Sequence, residues 1–344
     1  MMKRTLLAVV VLMLILMPLW AGGQQDSPQT NEFSVGVFVP GVVEGSPTYE
    51  LLVAGVQQAV DEIGNARAGV VEGGFNQAEW SGAITAMAAS GEYDLIVSSN
   101  PEIPDIVETV LESFPDQRFL IMDAYLTGNP QVHTVMFNQR EQAFLAGYFA
   151  GLVGQSDMID AFTPLRAGLL AGQEYPIMNN VIAPNFELGL RAVDPDAEID
   201  FRVLGNWYDA AAAAELANSM YATGSHVVLS IAGGGNQGVI ASARERDRYV
   251  LWYDTNGLDE APGIVIGSTF VALDSAVYER TLDAIEGTLA FGEAEVVGVA
   301  EGYVGFVEDD PLYRRHVSEE VREQQRAVLK RMESGELTLE MQLP

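Results

Sequence analysis

Two aspartates, a tryptophan and a glycine-rich turn are the residues of this 344-residue chain whose types and spacing could do chemistry. Asp123 closes the apolar run 119–122, and Asp254 closes 249–253. A carboxylate at such an end accepts paired hydrogen bonds from vicinal hydroxyls, which suits a ribose or another sugar; it serves equally to cap a helix or to meet water. Trp207 stands in Asn206-Trp207-Tyr208-Asp209, ahead of an alanine-rich stretch that Asp209 or Asn206 could cap. A tryptophan at a loop tip offers a face on which a planar ligand can stack, or packs against its own lobe. Ala232-Gly233-Gly234-Gly235-Asn236-Gln237-Gly238 follows an apolar run and opens a helical stretch, where glycines let backbone amides approach an oxygen-rich ligand. It lacks the Lys-Ser/Thr ending of a phosphate loop and the spacing of a dinucleotide fingerprint, and a bare strand-to-helix turn would look the same.

Catalytic constellations are missing from the sequence. There is no cysteine, so disulfides, thiol nucleophiles and thiolate metal sites are excluded. The three histidines, His133, His226 and His316, are far apart, and neither a G-x-S-x-G elbow nor an H-E-x-x-H helix occurs. No catalytic residue, metal or cofactor is therefore expected. With 48 acidic against 18 basic residues the formal charge is −30, which opposes nucleic acid as a partner, because that affinity rests on Lys and Arg neutralising phosphates.

The elements that must position these residues alternate regularly. Strand-length apolar runs at 33–39, 95–98, 118–122, 132–137, 167–171, 201–204, 227–231, 250–253 and 264–266 are separated by stretches of helical periodicity. Among the latter are 49–63, 141–153, 210–223 and 318–333, and 178–193 with a break expected at Pro184. Strands alternating with helices predict an α/β architecture of parallel sheets. Nine strands are too many for one compact doubly wound sheet, so two sheets and two lobes are expected. Ligands in such sheets bind beyond the carboxyl ends of the strands, which here include Asn100, Asp123, Tyr175, Asn206–Asp209, 232–236 and Asp254. Ahead of this body, Lys3 and Arg4 precede the apolar run 6–17 and the small residues Ala21, Gly22 and Gly23. That is the pattern of a secretory signal over 1–23, followed by a polar linker over 24–32, and it predicts a periplasmic or otherwise extracytoplasmic protein; retention of the signal as an anchor stays open.

Several segments taken in order resemble the basic membrane protein (BMP) family, the substrate-binding lipoproteins of ABC importers. They are 135–147, with its Asn138-Gln139-Arg140-Glu141-Gln142; 168–175 with Pro176-Ile177; Phe186-Glu187-Leu188-Gly189; Gly205-Asn206-Trp207-Tyr208-Asp209; 224–238; Trp252-Tyr253-Asp254; and the closing 321–339. The resemblance implies a type I periplasmic-binding fold: two doubly wound parallel-sheet lobes joined by three crossovers. Lobe 1 is expected to comprise 33–140 with 257–290, and lobe 2 to comprise 141–256 with 291–344. It further implies a nucleoside-like ligand in the cleft, a membrane permease as partner, Asp254 in the place of the ribose-binding acid and Trp207 in that of an aromatic stacking on the base. Asp123 and Asn100 would line the same cleft. The expected ligand-binding set is Tyr49, Asn100, Asp123, Tyr175, Trp207, Gly233, Gly234, Asn236 and Asp254. Three positions depart from the family pattern: Tyr49 falls where an Asn is usual, Thr269 rather than Lys follows Ser268, and the lipid-bearing Cys is absent. The function expected is capture of a small neutral solute for import, with an extracytoplasmic sensor subunit that presents its closed form to a signalling receptor as the alternative.

Overall fold

The computed structural model describes residues 32–160 and 163–341. The expected signal over 1–23, and the linker over 24–32 apart from Glu32, lie outside the described residues. The chain begins with β1 (Phe33–Val39), α1 (Pro47–Ile63), β2 (Ala66–Glu72), α2 (Gln77–Ser90), β3 (Leu95–Ser99), α3 (Ile103–Leu111), β4 (Arg118–Met122) and β5 (Val132–Phe137). It continues through α4 (Gln139–Gln155), β6 (Arg166–Ala171), a π-helical turn (Met178–Ile182) leading into α5 (Ala183–Val193), β7 (Glu198–Val203), α6 (Ala210–Ala222) and β8 (Val227–Ile231). A 3-10 turn (Gly233–Gly235) leads to α7 (Asn236–Arg246), β9 (Tyr249–Trp252), β10 (Val265–Val271), α8 (Leu273–Glu286), β11 (Ala294–Val297), β12 (Val304–Phe306), α9 (Pro311–His316) and α10 (Glu319–Glu333).

Two six-stranded sheets result. The first has the order β11-β5-β4-β3-β1-β2, and the second β12-β10-β9-β8-β6-β7. All pairings are parallel except β10 with β12. The inner strands read as unbroken apolar runs because helices cover both faces. In the first sheet Val35, Val37, Leu95 and Val97 pack toward α1, while Phe38, Ile96 and Ile121 pack with Trp80 and Ile84 of α2 and Ile103 and Val107 of α3.

Two strands of the return segments, β10 and β11, lie opposite to the expectation, while α8 packs against α1 of the first lobe and β12 pairs with β10 in the second. Residues 257–290 were expected in the first lobe, yet β10 pairs with β9, Val265 beside Val250 and Ser268 beside Trp252, and so belongs to the second sheet. Residues 291–344 were expected in the second, yet β11 pairs with β5, Ala294 beside Thr134 through Val297 beside Phe137. The chain changes sheet after β10, by way of α8, rather than before it. At Pro184 the helix changes form rather than ending: the π-helical turn Met178–Ile182 gives way to α5 at Ala183, directly before the proline whose missing N–H disrupts regular α-helical bonding.

Local sequence explains the helix boundaries. Pro47 opens α1 and left-handed Gly64 closes it; Asn138, Asp209 and Ser318 cap α4, α6 and α10 with their side chains. Helices α4 and α5 touch backbone to backbone. A Cβ on Gly147 would lie 1.9 Å from the Phe186 carbonyl oxygen, and one on Gly189 2.1 Å from that of Phe144.

Three crossings between sheets occur, after β5, after β10 and between β11 and β12. They are hydrogen-bonded to one another along one edge: Asn138 N–H donates to Val297 O (2.8 Å), Ala272 N–H to Tyr303 O (2.8 Å) and Val299 N–H to Glu141 Oε2 (2.8 Å). Strands β2 and β7 lie at the far edges.

Candidate functional site

Strand order reverses between β1 and β3 in the first sheet and between β6 and β8 in the second, and the carboxyl ends beside such reversals open crevices for ligands. Asp123 directly follows β4. Asp254 stands two residues beyond β9, the strand that occupies the corresponding place in the second sheet. Both are left-handed, with φ of +53° and +69°, and among the described residues only Asp247 shares that conformation outside glycine. An L residue other than Gly, Asn or Asp rarely adopts it, because Cβ crowds the next carbonyl. The same backbone twist thus turns an aspartate out of the sheet at matched places in the two lobes.

One helical turn clasps both carboxylates. Gln139 Nε2 donates to Asp123 Oδ1 (3.1 Å), and Gln142 Nε2 donates to Asp254 Oδ1 (3.0 Å). Residues three apart share a helix face, so the two acids are drawn to one patch at the start of α4. Gln142 is fully buried, and the same Nε2 lies 3.4 Å from Thr269 Oγ1. Burial pushes Asp123 up to about 7, the charge of Asp254 adds to the rise, and the Gln139 bond opposes it. Asp254 rises to about 6 for the same first reason, opposed by its bond from Gln142.

Aromatic hydroxyls surround the pair. The Tyr49 hydroxyl donates to Pro40 O (3.1 Å), is also hydrogen-bonded with Asn100, and is pushed up to about 12 by burial. Tyr175 and Tyr253 are raised as well, first by burial and then by the charge of Asp254. The Tyr253 hydroxyl and Gln142 Oε1 are buried without a hydrogen-bond partner. The Tyr175 ring centroid lies 6.4 Å from that of Trp207 at a 43° tilt, which joins the tryptophan to the acid patch. Trp207 itself remains 41% exposed.

Six of the expected residues are therefore linked: Tyr49, Asn100, Asp123, Tyr175, Trp207 and Asp254. The glycine turn plays a supporting part. Left-handed Gly233 lies beneath the Trp207 backbone, where a Cβ would come 2.7 Å from its carbonyl oxygen, and Gly234 lies alongside. Asn236 is turned inward: its Oδ1 accepts from Ser230 Oγ (2.6 Å) and Ala232 N–H (2.9 Å), so it ties the turn together. Asp209 caps α6 by accepting from Ala212 N–H (3.0 Å), and Asn206 accepts from Asp209 N–H (2.7 Å), which fixes the loop that carries Trp207. A cavity of about 710 Å³ opens beside Asp254, between Pro47, Glu50 and Leu51 of the first lobe and Trp252 and Phe270 of the second. It shares Asp254 with the acid patch and does not include Trp207.

Gln139, Gln142 and Tyr253 escaped the sequence reading. The signal for the glutamines was present: a strand-end Asn138 that caps a helix, with amides at the first and fourth helical positions.

A family model described as ABC transporter substrate-binding protein, PnrA-like, matches residues 33–338. The chain is 24% identical over 258 residues to the CD4+ T-cell-stimulating antigen of Listeria monocytogenes, covering 70% of each chain. It is 25% identical over 152 residues to the ABC transporter nucleoside-binding protein BmpA of Lactococcus lactis, covering 44% of this chain and 41% of that one. Among solved structures, the solute-binding protein of an ABC transporter system from Aeropyrum pernix K1 superposes with a TM-score of 0.75 at 21% identity, covering 89% of this chain and 92% of the other. The architecture is accordingly the type I periplasmic-binding fold.

Proposed function

The chain belongs to this non-catalytic family of ABC transporter substrate-binding proteins, and from that premise we propose that it captures a small uncharged solute of the nucleoside class between its lobes and delivers it to a membrane permease. The observation that carries the reading is the convergence of Asp123 and Asp254, one from each lobe, on a patch that also holds Tyr49, Tyr175 and Asn100 and continues to the exposed face of Trp207. Carboxylates supply acceptors for ribose hydroxyls or ring N–H groups, and an indole face supplies stacking for a planar base. The name of the Lactococcus relative points the same way. In this reading Asp254 and Asp123 accept from the ligand, Trp207 and Tyr175 cover its ring, Tyr49 and Asn100 border it, and Gly233, Gly234 and Asn236 hold the Trp207 loop in place. Residues 1–23 direct export, which puts the protein on the extracytoplasmic side where a permease is met; among the described residues no helix is long and apolar enough to cross a membrane.

A thermal-shift screen over nucleosides, free bases, sugars and amino acids tests the ligand class. A ligand at about 100 times its Kd adds about 2.7 kcal/mol to stability, a shift that such a screen resolves easily. Nucleosides are expected to raise the melting temperature. A shift by sugars or amino acids with none by nucleosides overturns the assignment.

A further inference from the structure

Ligand chemistry alone does not account for how the two aspartates rest when the cleft is empty. They come from opposite lobes, yet each is bonded by a glutamine from the same turn of α4, Gln139 and Gln142. The groups that face them are the hydroxyls of Tyr49 from α1, Tyr175 from the loop after β6 and Tyr253 from the end of β9, with Thr269 of β10 beside Gln142. Around the adjoining cavity the ionisable side chains are Glu50, Asp254, Asp259, Glu260 and Asp274, all acidic. Arg140, the cation nearest in sequence, is directed elsewhere, its Nε toward Asn185 Oδ1 (3.4 Å) and its Nη1 to the Glu340 carbonyl (2.6 Å). Each amide occupies Oδ1 of its aspartate and neutralises nothing. Two half-buried carboxylates that converge on one patch, with amides and hydroxyls rather than a cation as neighbours, resist ionising together.

We propose that Asp123 and Asp254 form a proton-binding site that competes with the ligand: the pair holds one proton while the cleft is empty and exchanges it for the hydrogen-bond donors of an uncharged ligand. The exchange deepens the reading given above and rests on it. It balances simply, since the ligand's O–H or N–H groups keep their own protons and bond to the two carboxylates, while the displaced proton passes to solvent. The site therefore selects for charge class. A neutral, donor-rich solute can replace the proton, whereas a phosphorylated or carboxylated analogue adds a third negative charge and is refused. The upward displacement of both acids agrees with this arrangement.

The ligand-free protein provides the first test. Carbon-13 NMR of aspartate carboxyls in the wild-type chain is expected to show a resonance that titrates near neutrality, and Asp123→Asn and Asp254→Asn are each expected to remove it or to lower the midpoint of the carboxyl that remains. If no wild-type aspartate titrates above pH 5, the proposal fails, whatever the variants do. Inosine provides the second test. Titration calorimetry at pH 6.5 in buffers of different ionisation enthalpy is expected to register proton release on binding, and inosine monophosphate is expected to bind at least 100-fold more weakly. Inosine binding with no proton released overturns the competition. If inosine does not bind while the near-neutral carboxyl is present, the nucleoside assignment falls and the proton site stands.

Discussion

The two lobes share a strand order and a left-handed aspartate after the corresponding strand, but they differ in what surrounds it. In the second lobe the loop after β7 carries Trp207, seated against Gly172, Gly233 and Tyr175. The corresponding loop after β2 in the first lobe carries Phe75, which is 82% exposed and has no such seat. The first lobe instead carries a partly exposed polar cluster at its edge: His133 Nε2 lies 2.8 Å from Glu295 Oε1, and Arg280 Nη2 donates to Glu295 Oε2 (2.6 Å), which fastens edge strand β11 to β5 and α8. Topology thus duplicates the position of a carboxylate, because strand order and backbone twist are properties of the whole sheet. It does not duplicate the seated tryptophan, which needs glycines at particular points of neighbouring loops.

The equivalence of the two acids is the part of this comparison most easily broken. Asp254→Ala and Asp123→Ala are each expected to weaken ligand binding by about 1.5–3 kcal/mol, the scale of hydrogen bonds to a charged group. Calorimetry on both variants checks this, and an effect confined to one of them would show that only one lobe reads the ligand. The inequality of the two loops is tested next. Trp207→Ala is expected to cost about 1–3 kcal/mol of affinity, the scale of stacking a base on an aromatic ring, whereas Phe75→Ala leaves Kd unchanged. Tryptophan fluorescence is expected to respond to ligand in the wild type and to lose most of that response in Trp207→Ala.

Acid and base separate two places within the first lobe, the end of β4 and the edge strand β11. The folded value of Asp123, about 7, lies above its ordinary range, so the native state keeps a proton that the unfolded chain releases. Its contribution is present below the ordinary carboxylate range and fades as pH rises through about 7. Ligand-free protein is expected to lose on the order of 1–2 kcal/mol of stability over that rise, with a flatter profile in Asp123→Asn. Glu295 runs the other way. Its bonds from His133 and Arg280 lower it from 4.5 to about 2, so its contribution is present above the ordinary value and is lost as pH falls through about 2. Because the side chain is partly in water, Glu295→Gln is expected to cost only about 1 kcal/mol at neutral pH, and the deficit to vanish in acid. Denaturant melts across pH separate the two profiles.

Much of the fold was legible because buried parallel strands are continuous apolar runs, and nine of the twelve described strands were read on that signal. The other three are edge or very short strands. In β2, Arg67 and Gly69 interrupt the run, since one face of an edge strand meets water; β11 has four residues and β12 three. Nor does a sequence say which sheet β10 or β11 will join, because a crossover between lobes looks like a crossover within one. In the site, carboxylates and a tryptophan at strand ends stood out by type. Gln139 and Gln142 did not, since polar residues in a first helical turn are ordinary and only the path of α4 between the two aspartates gives them a role. Asn236 misled for a related reason: an asparagine beside glycines suits a ligand loop, and equally an internal tie to Ser230 and Ala232.

All three crossings lie along one edge, with β2 and β7 at the opposite ends of their sheets, and this arrangement makes each lobe a lever. Five strand spacings of about 4.8 Å place β2 roughly 24 Å from β11. A rotation about the crossings then moves the far loop by ~0.4 Å for every degree, while residues beside the pivot hardly move. Phe75 and Tyr208, 82% and 79% exposed in the loops after β2 and β7, stand at the two far ends. The Leu339 carbonyl, by contrast, is fastened to Asn138 Nδ2 (2.9 Å) at the pivot itself. A spectroscopic ruler that spans positions 75 and 208 would magnify a rotation of a few degrees into an ångström-scale change, while a reporter at the end of the described chain would register almost none.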